Sequence, residues 1–214
     1  MRRHAPKRKM GVASAEQRQR RRCVGKFRRF FPAGFRDATY LAWERNYKWE
    51  AHQRWNKVLG KTSYQRLLEA KSYRLIADHA IRIESRTNLL FSFEKMALRD
   101  AVRSPDGARE FALGLHAWLH GTGSRSERFL RWIEVLSSLP QKQKRVLTWP
   151  TATVFGFIAL PGQHIFVKPT VTKKAAAAFV YPLRYESRPN SCVYQDVLSF
   201  GKLVCANAAD LAPR

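Results

Sequence analysis

Acidic residues are scarce in this chain of 214 residues: 16 Asp and Glu stand against 40 Lys and Arg, for a formal net charge of +24. A balance that basic moves acidic proteins down the list of partners and moves phosphate polyanions or anionic lipid surfaces up it. Cysteine is scarce too. Cys23, Cys192 and Cys205 form no CxxC pair and no zinc or disulfide spacing, so unpaired thiols in a reducing, cytoplasmic setting are expected. Long apolar runs are missing. The basic start is not followed by the apolar segment of a secretory leader. The uncharged stretch 146–167 is interrupted at Pro150, Pro161, Gly162, Gln163 and His164, leaving only Thr151 to Leu160 continuous. That length suits a buried core element, not a membrane span. There is no G-x-S-x-G, no G-x-G-x-x-G, and no zinc-finger, RNP or KH signature. No cofactor is implied, and whether the chain is an enzyme stays open, because triads assemble from distant residues. The oligomeric state is not specified either.

What is present is ample core material and unevenly spread charge. Apolar residues make up 45% of the chain, with 13 Phe, enough for a folded core. Residues 1–30 hold twelve Lys and Arg against one acid, Glu16, and the remainder is basic in its own right. Residues 1–29, with two cationic clusters and no periodic apolar face, read as a disordered basic arm. Phe30, Phe31 and Phe35, around Pro32 and Gly34, read as an aromatic turn docking that arm on the body. Residues 30–214 read as one domain. Its end, LAPR, lacks polar trailing residues and reads as shortened.

Helical signals dominate the body. Asp37 caps a helix over 38–59 whose face is Tyr40, Tyr47, Ala51, Trp55 and Val58, with Trp43 and Trp49 off it and Arg45, Lys48, Arg54 and Lys57 on its flank. Ser63 and Ser72 open two further helices, and another ends near Val102. Ser104, Pro105 and Gly121 frame a helix, and Ser124 with Glu127 has capping-box spacing. Beyond Arg145 the residues become β-branched and aromatic. TVFGFIAL and HIFVKP, joined by Leu160-Pro161-Gly162-Gln163, read as a small β hairpin or strand near 153–168. Thr170 or Thr172 caps a helix, and Asn190 another. The expected fold is therefore mainly α, a compact multi-helix domain with that small β element.

Three groups of residues are candidates for chemistry. Lys7, Arg8, Lys9, Arg18, Arg20, Arg21, Arg22, Lys26, Arg28 and Arg29 would neutralise phosphates of DNA or RNA, giving salt-sensitive and largely sequence-independent binding. Aromatics interleaved with cations over 27–49 suit stacking on unpaired bases. Lys168, at the end of an expected strand beside a helix start, forms with Thr170, Lys173 and Lys174 an anion-binding pattern that lacks the glycines of a P-loop. His116 and His120, four apart on one helix, are a metal pair without a third ligand or the general base of HExxH; the better account is imidazolium at a helix C-terminus, so no metal is expected. Glu94, Lys95, Arg99 and Asp100 read as a solvated helix face.

The strings FPAGFRDATYLAWERNYKWEAH, FSFEKMALRDAV and TWPTATVFGFIALPGQHIFVKPTVT resemble a family of bacterial proteins of unassigned function, over about residues 30–190. The resemblance brings no activity, and its members lack so basic an arm and continue beyond the equivalent of Arg214. Three functional readings follow. The first is a nucleic-acid-associated protein, at the nucleoid or the ribosome. The others are an interaction or accessory subunit docking through Trp43 and Trp49, and an enzyme or anion-binding protein centred on Lys168.

Overall fold

The computed structural model of the chain describes residues 8–141 and 145–211, with residues 8–14 described by their backbone alone. Among the described residues every regular element is helical. Helix α1 (Arg8–Phe30) leads through a 3-10 turn (Gly34–Arg36) to α2 (Ala38–Tyr40), which passes through a π-helical turn (Leu41–Arg45) into α3 (Asn46–Leu59). Then come α4 (Lys61–Glu69), α5 (Tyr73–Ser85), α6 (Ser92–Ala101), α7 (Pro105–His120) and α8 (Arg125–Ser138). The chain continues with α9 (Trp149–Ala159), α10 (Pro169–Ala178), α11 (Ser191–Asn207) and a 3-10 turn (Ala209–Leu211).

The capping residues act as the sequence suggests. Asp37 Oδ1 accepts from Thr39 N at 2.9 Å, Ser104 Oγ from Gly107 N at 3.1 Å, and Asn190 Oδ1 from Val193 N at 2.9 Å. Ser124 and Glu127 close a reciprocal box, at 3.2 and 2.7 Å. Two starts differ. α4 begins at Lys61 behind Gly60, not at Ser63, and α10 begins at Pro169 with Lys168, not a threonine, in the capping position.

Helix α7 packs against α4, α5, α8 and α9. Its apolar stripe, Phe111, Leu115, Trp118 and Leu119, is buried throughout. Trp118 stacks on Trp132 of α8 at 5.5 Å, nearly parallel, and Phe111 meets Phe155 of α9 edge-on at 5.4 Å. Two polar tips inside this core find partners, Trp132 Nε1 donating to Ala152 O and Tyr64 Oη to Ala112 O, whereas Trp118 Nε1 has none.

The expected β element at 153–168 is not there. Residues Thr151 to Ala159 belong to α9, buried on almost every side. A helix enclosed all round is apolar all round, so it shows no 3.6-residue period and its β-branched content misleads. Its own signals are the Thr148 cap and Pro150 in the first turn. The turn at 160–163 forms, with Gln163 N donating to Leu160 O, but it joins a helix to an extended segment. Residues 164–168 find side-chain partners in place of a second strand: Val167 N donates to Thr153 Oγ1 and Ile165 N to Tyr194 Oη.

The expected disordered arm is also corrected, over residues 8–29, by α1. Its like charges oppose an isolated helix, but its few apolar positions share one side and find a seat. Arg20 Nε donates to Phe179 O and Cys23 Sγ to Ala178 O, taking two carbonyls that the C-terminus of α10 leaves unpaired within its own helix. Phe27 joins Phe31, Phe35 and Tyr40 in a ring cluster with centroids 4.8 to 5.6 Å apart, whereas Phe30 points outward.

Glu94 and Lys95 do not form a solvated face. Glu94 is buried, accepting from Phe91 N and Thr148 Oγ1 at 3.0 and 2.8 Å. Lys95 Nζ donates to Thr87 O at 2.6 Å and lies 3.6 Å from the buried carboxylate of Glu84. Burial raises the Glu84 pKa, against the pull of Lys95 and of the hydrogen bonds from Leu90 N and Thr87 Oγ1. Removing one member of such a pair strands the other. Lys95→Ala is therefore expected to lower unfolding free energy by about 3–5 kcal/mol, and Glu84→Gln by clearly less, measured by urea denaturation. A loss below about 1 kcal/mol for Lys95→Ala would argue that the pair is not coupled.

Candidate nucleic-acid interface

A helix turns 100° per residue, so Arg18, Arg22, Lys26 and Arg29 of α1 line one side while Arg20, Cys23, Val24 and Phe27 line the other. The second side is the docked one. The first is exposed to solvent and runs about 16 Å from Arg18 to Arg29. Of the remaining cations in the arm, Arg20 pairs with Glu16 at 3.0 Å and Arg28 with Asp210. Arg21 lines a crevice of about 650 Å³ between α1 and α11. Lys7 lies outside the described residues. Arg8 and Lys9 are in the helix, and their side chains lie outside the description. Seven of the ten predicted cations are described to the side chain: Arg18, Arg22, Lys26 and Arg29 on the outward side, Arg20 and Arg28 paired with carboxylates, and Arg21 at the crevice.

Of the residues predicted to hold an anion, Lys168 stands in the capping position of α10 and Thr170, Lys173 and Lys174 lie in its first turns. Lys168 Nζ sits 4.8 Å above the ring of Phe91, and Lys173 Nζ sits 5.1 Å from that of Tyr185. Thr170 and Lys174 are exposed. His116 and His120 do meet, with ring centroids 5.4 Å apart, but no group of three or more His, Cys, Asp or Glu able to hold a metal occurs among the described residues. Nor does the helix end favour imidazolium here. Burial, then the charge of Lys61, lowers the His116 pKa; burial, then His116, Lys61 and Arg128, lowers that of His120 to about 4.

Sequence reasoning missed a groove between α3 and the turn that ends α9. Its larger lobe, about 770 Å³, is lined by Tyr40, Arg45, Lys48, Trp49 and His52, faced by Phe157 and the residues 160–163. A second lobe of about 450 Å³ is lined by Lys61, His120 and Arg128. Asn56, Ala159, Leu160 and Gln163 belong to both, so the lobes are continuous. Together they carry Arg45, Lys48, Lys61 and Arg128 against one carboxylate, Glu44.

Local structure sets this face. Ala51, Trp55 and Leu59 of α3 are buried, while Arg45, Trp49, His52 and Asn56 recur at fours, threes and fours on the neighbouring side. The π-helical turn at its start supplies Glu44 and Arg45, a kind of irregularity that recurs at functional sites. The Arg45 guanidinium lies 4.9 Å over the Trp49 ring, and Trp49 lies 5.0 Å from the His52 ring. His52 Nδ1, 2.8 Å from Ile158 O, carries the hydrogen, which leaves Nε2 to accept from Asn56 Nδ2 at 3.0 Å. Lys48 donates to Glu44 at 2.8 Å. Burial alone would lower the Lys48 pKa, but the bond to Glu44 and the neighbouring Tyr47 outweigh it, and the net shift is upward.

Behind the second lobe, His164 is fully buried and bonds Tyr194 Oη at 3.1 Å through Nδ1. Burial, then Arg125 and Arg128, pushes its pKa down to about 4. His120 and His164 are therefore neutral in the folded chain while the unfolded chain protonates them near pH 6.5. Their contribution is fully present above pH 6.5 and is lost as pH falls from there toward 4. For His164 alone the loss is on the order of 3 kcal/mol. Stability measured by urea between pH 7 and 4.5 is expected to fall, and His164→Phe to flatten that fall. A slope equal to wild type in the variant would mean that His164 is not a source of it.

No protein family, curated protein or solved structure was found to match the chain.

Proposed function

We propose that this protein binds nucleic acid through its backbone phosphates, without strong sequence preference. The observation that carries this reading is the exposed stripe of Arg18, Arg22, Lys26 and Arg29, held in place by the docked opposite side of α1. Four cations along about 16 Å of rigid helix match closely spaced phosphates, and each phosphate neutralised releases counterions. The body beneath adds its own excess of Lys and Arg. No described helix is long and apolar enough to cross a membrane, so an anionic bilayer would be met only at its surface. A cytoplasmic place, at the nucleoid or ribosome of a bacterium, goes with this reading, as does membership of the family of unassigned function that the chain resembles.

A protein partner has a separate place to dock. Phe91 and Phe93 stack at 5.7 Å with both rings exposed, beside an exposed Met96. If that patch joins copies of the chain, sedimentation will depend on concentration, and Met96→Glu will abolish the dependence.

The nucleic-acid reading is tested by anisotropy titrations of a DNA duplex against salt. Changing Arg18, Arg22, Lys26 and Arg29 together to Gln keeps good helix formers at exposed positions, so the fold is expected to survive. The slope of log K against log salt should become shallower by about 3 to 4. A slope and affinity equal to wild type in a folded variant would remove α1 as the interface.

A further inference from the structure

The groove along α3 differs from α1 in chemistry. α1 offers a row of cations with one exposed ring, Phe30, at its C-terminal end. The groove combines charge with an exposed ring, Trp49, and with side-chain amides from Asn56 and Gln163. We propose that this groove is a binding site for a short unpaired segment of a nucleic-acid strand. A base takes the place of the Arg45 guanidinium on the Trp49 ring, and phosphates follow the released Arg45 and Lys48 toward Lys61 and Arg128. This deepens the reading of the chain as a nucleic-acid binder and rests on it.

Four observations support the assignment. The first is length. Arg45 to Asn56 covers about 16 Å of helix, room for up to about five stacked nucleotides at about 3.4 Å each and more than one free nucleotide fills. The second is order. The ring and the first two cations lie in the larger lobe, and Lys61 and Arg128 lie in the smaller one, as a chain of alternating bases and phosphates requires. The third is a fixed cation. Arg128 lines the smaller lobe and is held there by Trp118 O and Leu119 O, which accept from its Nη1, so its charge is set in place before a strand arrives. The fourth is continuity. Tyr40 lines the groove and meets Phe27 of α1 edge-on at 5.6 Å, so the C-terminal end of α1 is anchored beside the groove's larger lobe.

Stacking inside a lined groove is what a duplex cannot use. A duplex keeps its base faces inside its own stack and gains nothing from Trp49, whereas an unpaired strand offers a π-face at every base. The amides of Asn56 and Gln163 can take a ribose 2′-hydroxyl as well as a base edge, so RNA and DNA strands belong in separate arms of the test.

The experiment is anisotropy with fluorescein-labelled oligouridylate and oligodeoxythymidylate of about eight nucleotides, beside the DNA duplex. The proteins are wild type, Trp49→Ala, Trp49→Phe, Lys61→Gln and the α1 stripe variant, all full chain. Trp49→Ala is expected to weaken both single strands roughly 5- to 100-fold with no change of salt slope, and to leave the duplex unaffected. Trp49→Phe should recover most of that loss. Lys61→Gln should make the single-strand slope shallower by about 0.7. If Trp49→Ala and Lys61→Gln bind both strands as wild type does, the groove is not the site, and the stripe variant's loss on duplex still upholds α1. If the stripe variant behaves as wild type on duplex while Trp49→Ala loses the strands, the groove stands and α1 falls. Uridine 5′-monophosphate is the last arm. Binding as tight as that of the oligomer would overturn the strand assignment in favour of a free nucleotide.

Discussion

The close approach of α9 to its neighbours at Gly156 is the constraint on which the rest depends. A Cβ on that residue would come within 2.4 Å of the Trp118 ring and 3.0 Å of His164. Only without a side chain there can the helix sink between α3, α7 and α8, and that position orders much else. It lets Trp118 stack on Trp132, and lets Trp132 Nε1 reach Ala152 O. It sets the Ile158 carbonyl where His52 can bond it, and it delivers the 160–163 turn as one wall of the groove. The core and the candidate site are therefore one problem of packing.

Charge is partitioned by the same economy of contacts. Arginines whose hydrogen bonds complete the fold are turned inward: Arg20 and Arg128 both donate to carbonyls at the ends of helices. Arg22, Lys26 and Arg29 stay exposed on the outer side of α1, and Arg45 and Lys48 line the groove. A net charge of +24 alone would not distinguish the two sets. Helical geometry does, because four-residue spacing in α1 separates a docking side from a facing side.

Most of the fold was legible in the sequence wherever a helix has a wet side. Caps at Asp37, Ser104, Ser124 and Asn190, and the stripe of α7, depend on local chemistry and on period. α9 was not legible as a helix, because burial on all sides erases the period. α1 was not, because its order comes from partners far along the chain. For the site, the aromatic and cationic flank at 45–49 could be read in part. Lys61, His120 and Arg128 could not, since three separate helices bring them to one lobe. The inward turn of Lys95 could not be foreseen either, since Glu84, eleven residues earlier, lies on another helix.

The seat of α1 has a consequence for the order of synthesis. Its anchoring contacts span 155 to 182 residues of chain: Cys23 to Ala178, Arg20 to Phe179 and Arg28 to Asp210. On a translating ribosome α1 emerges before residues 178–210, which seat it, have been made. Contacts of that separation close late. Until then the segment is an undocked polycation beside the ribosome's own RNA, and α10 and α11 are what draw it onto the body.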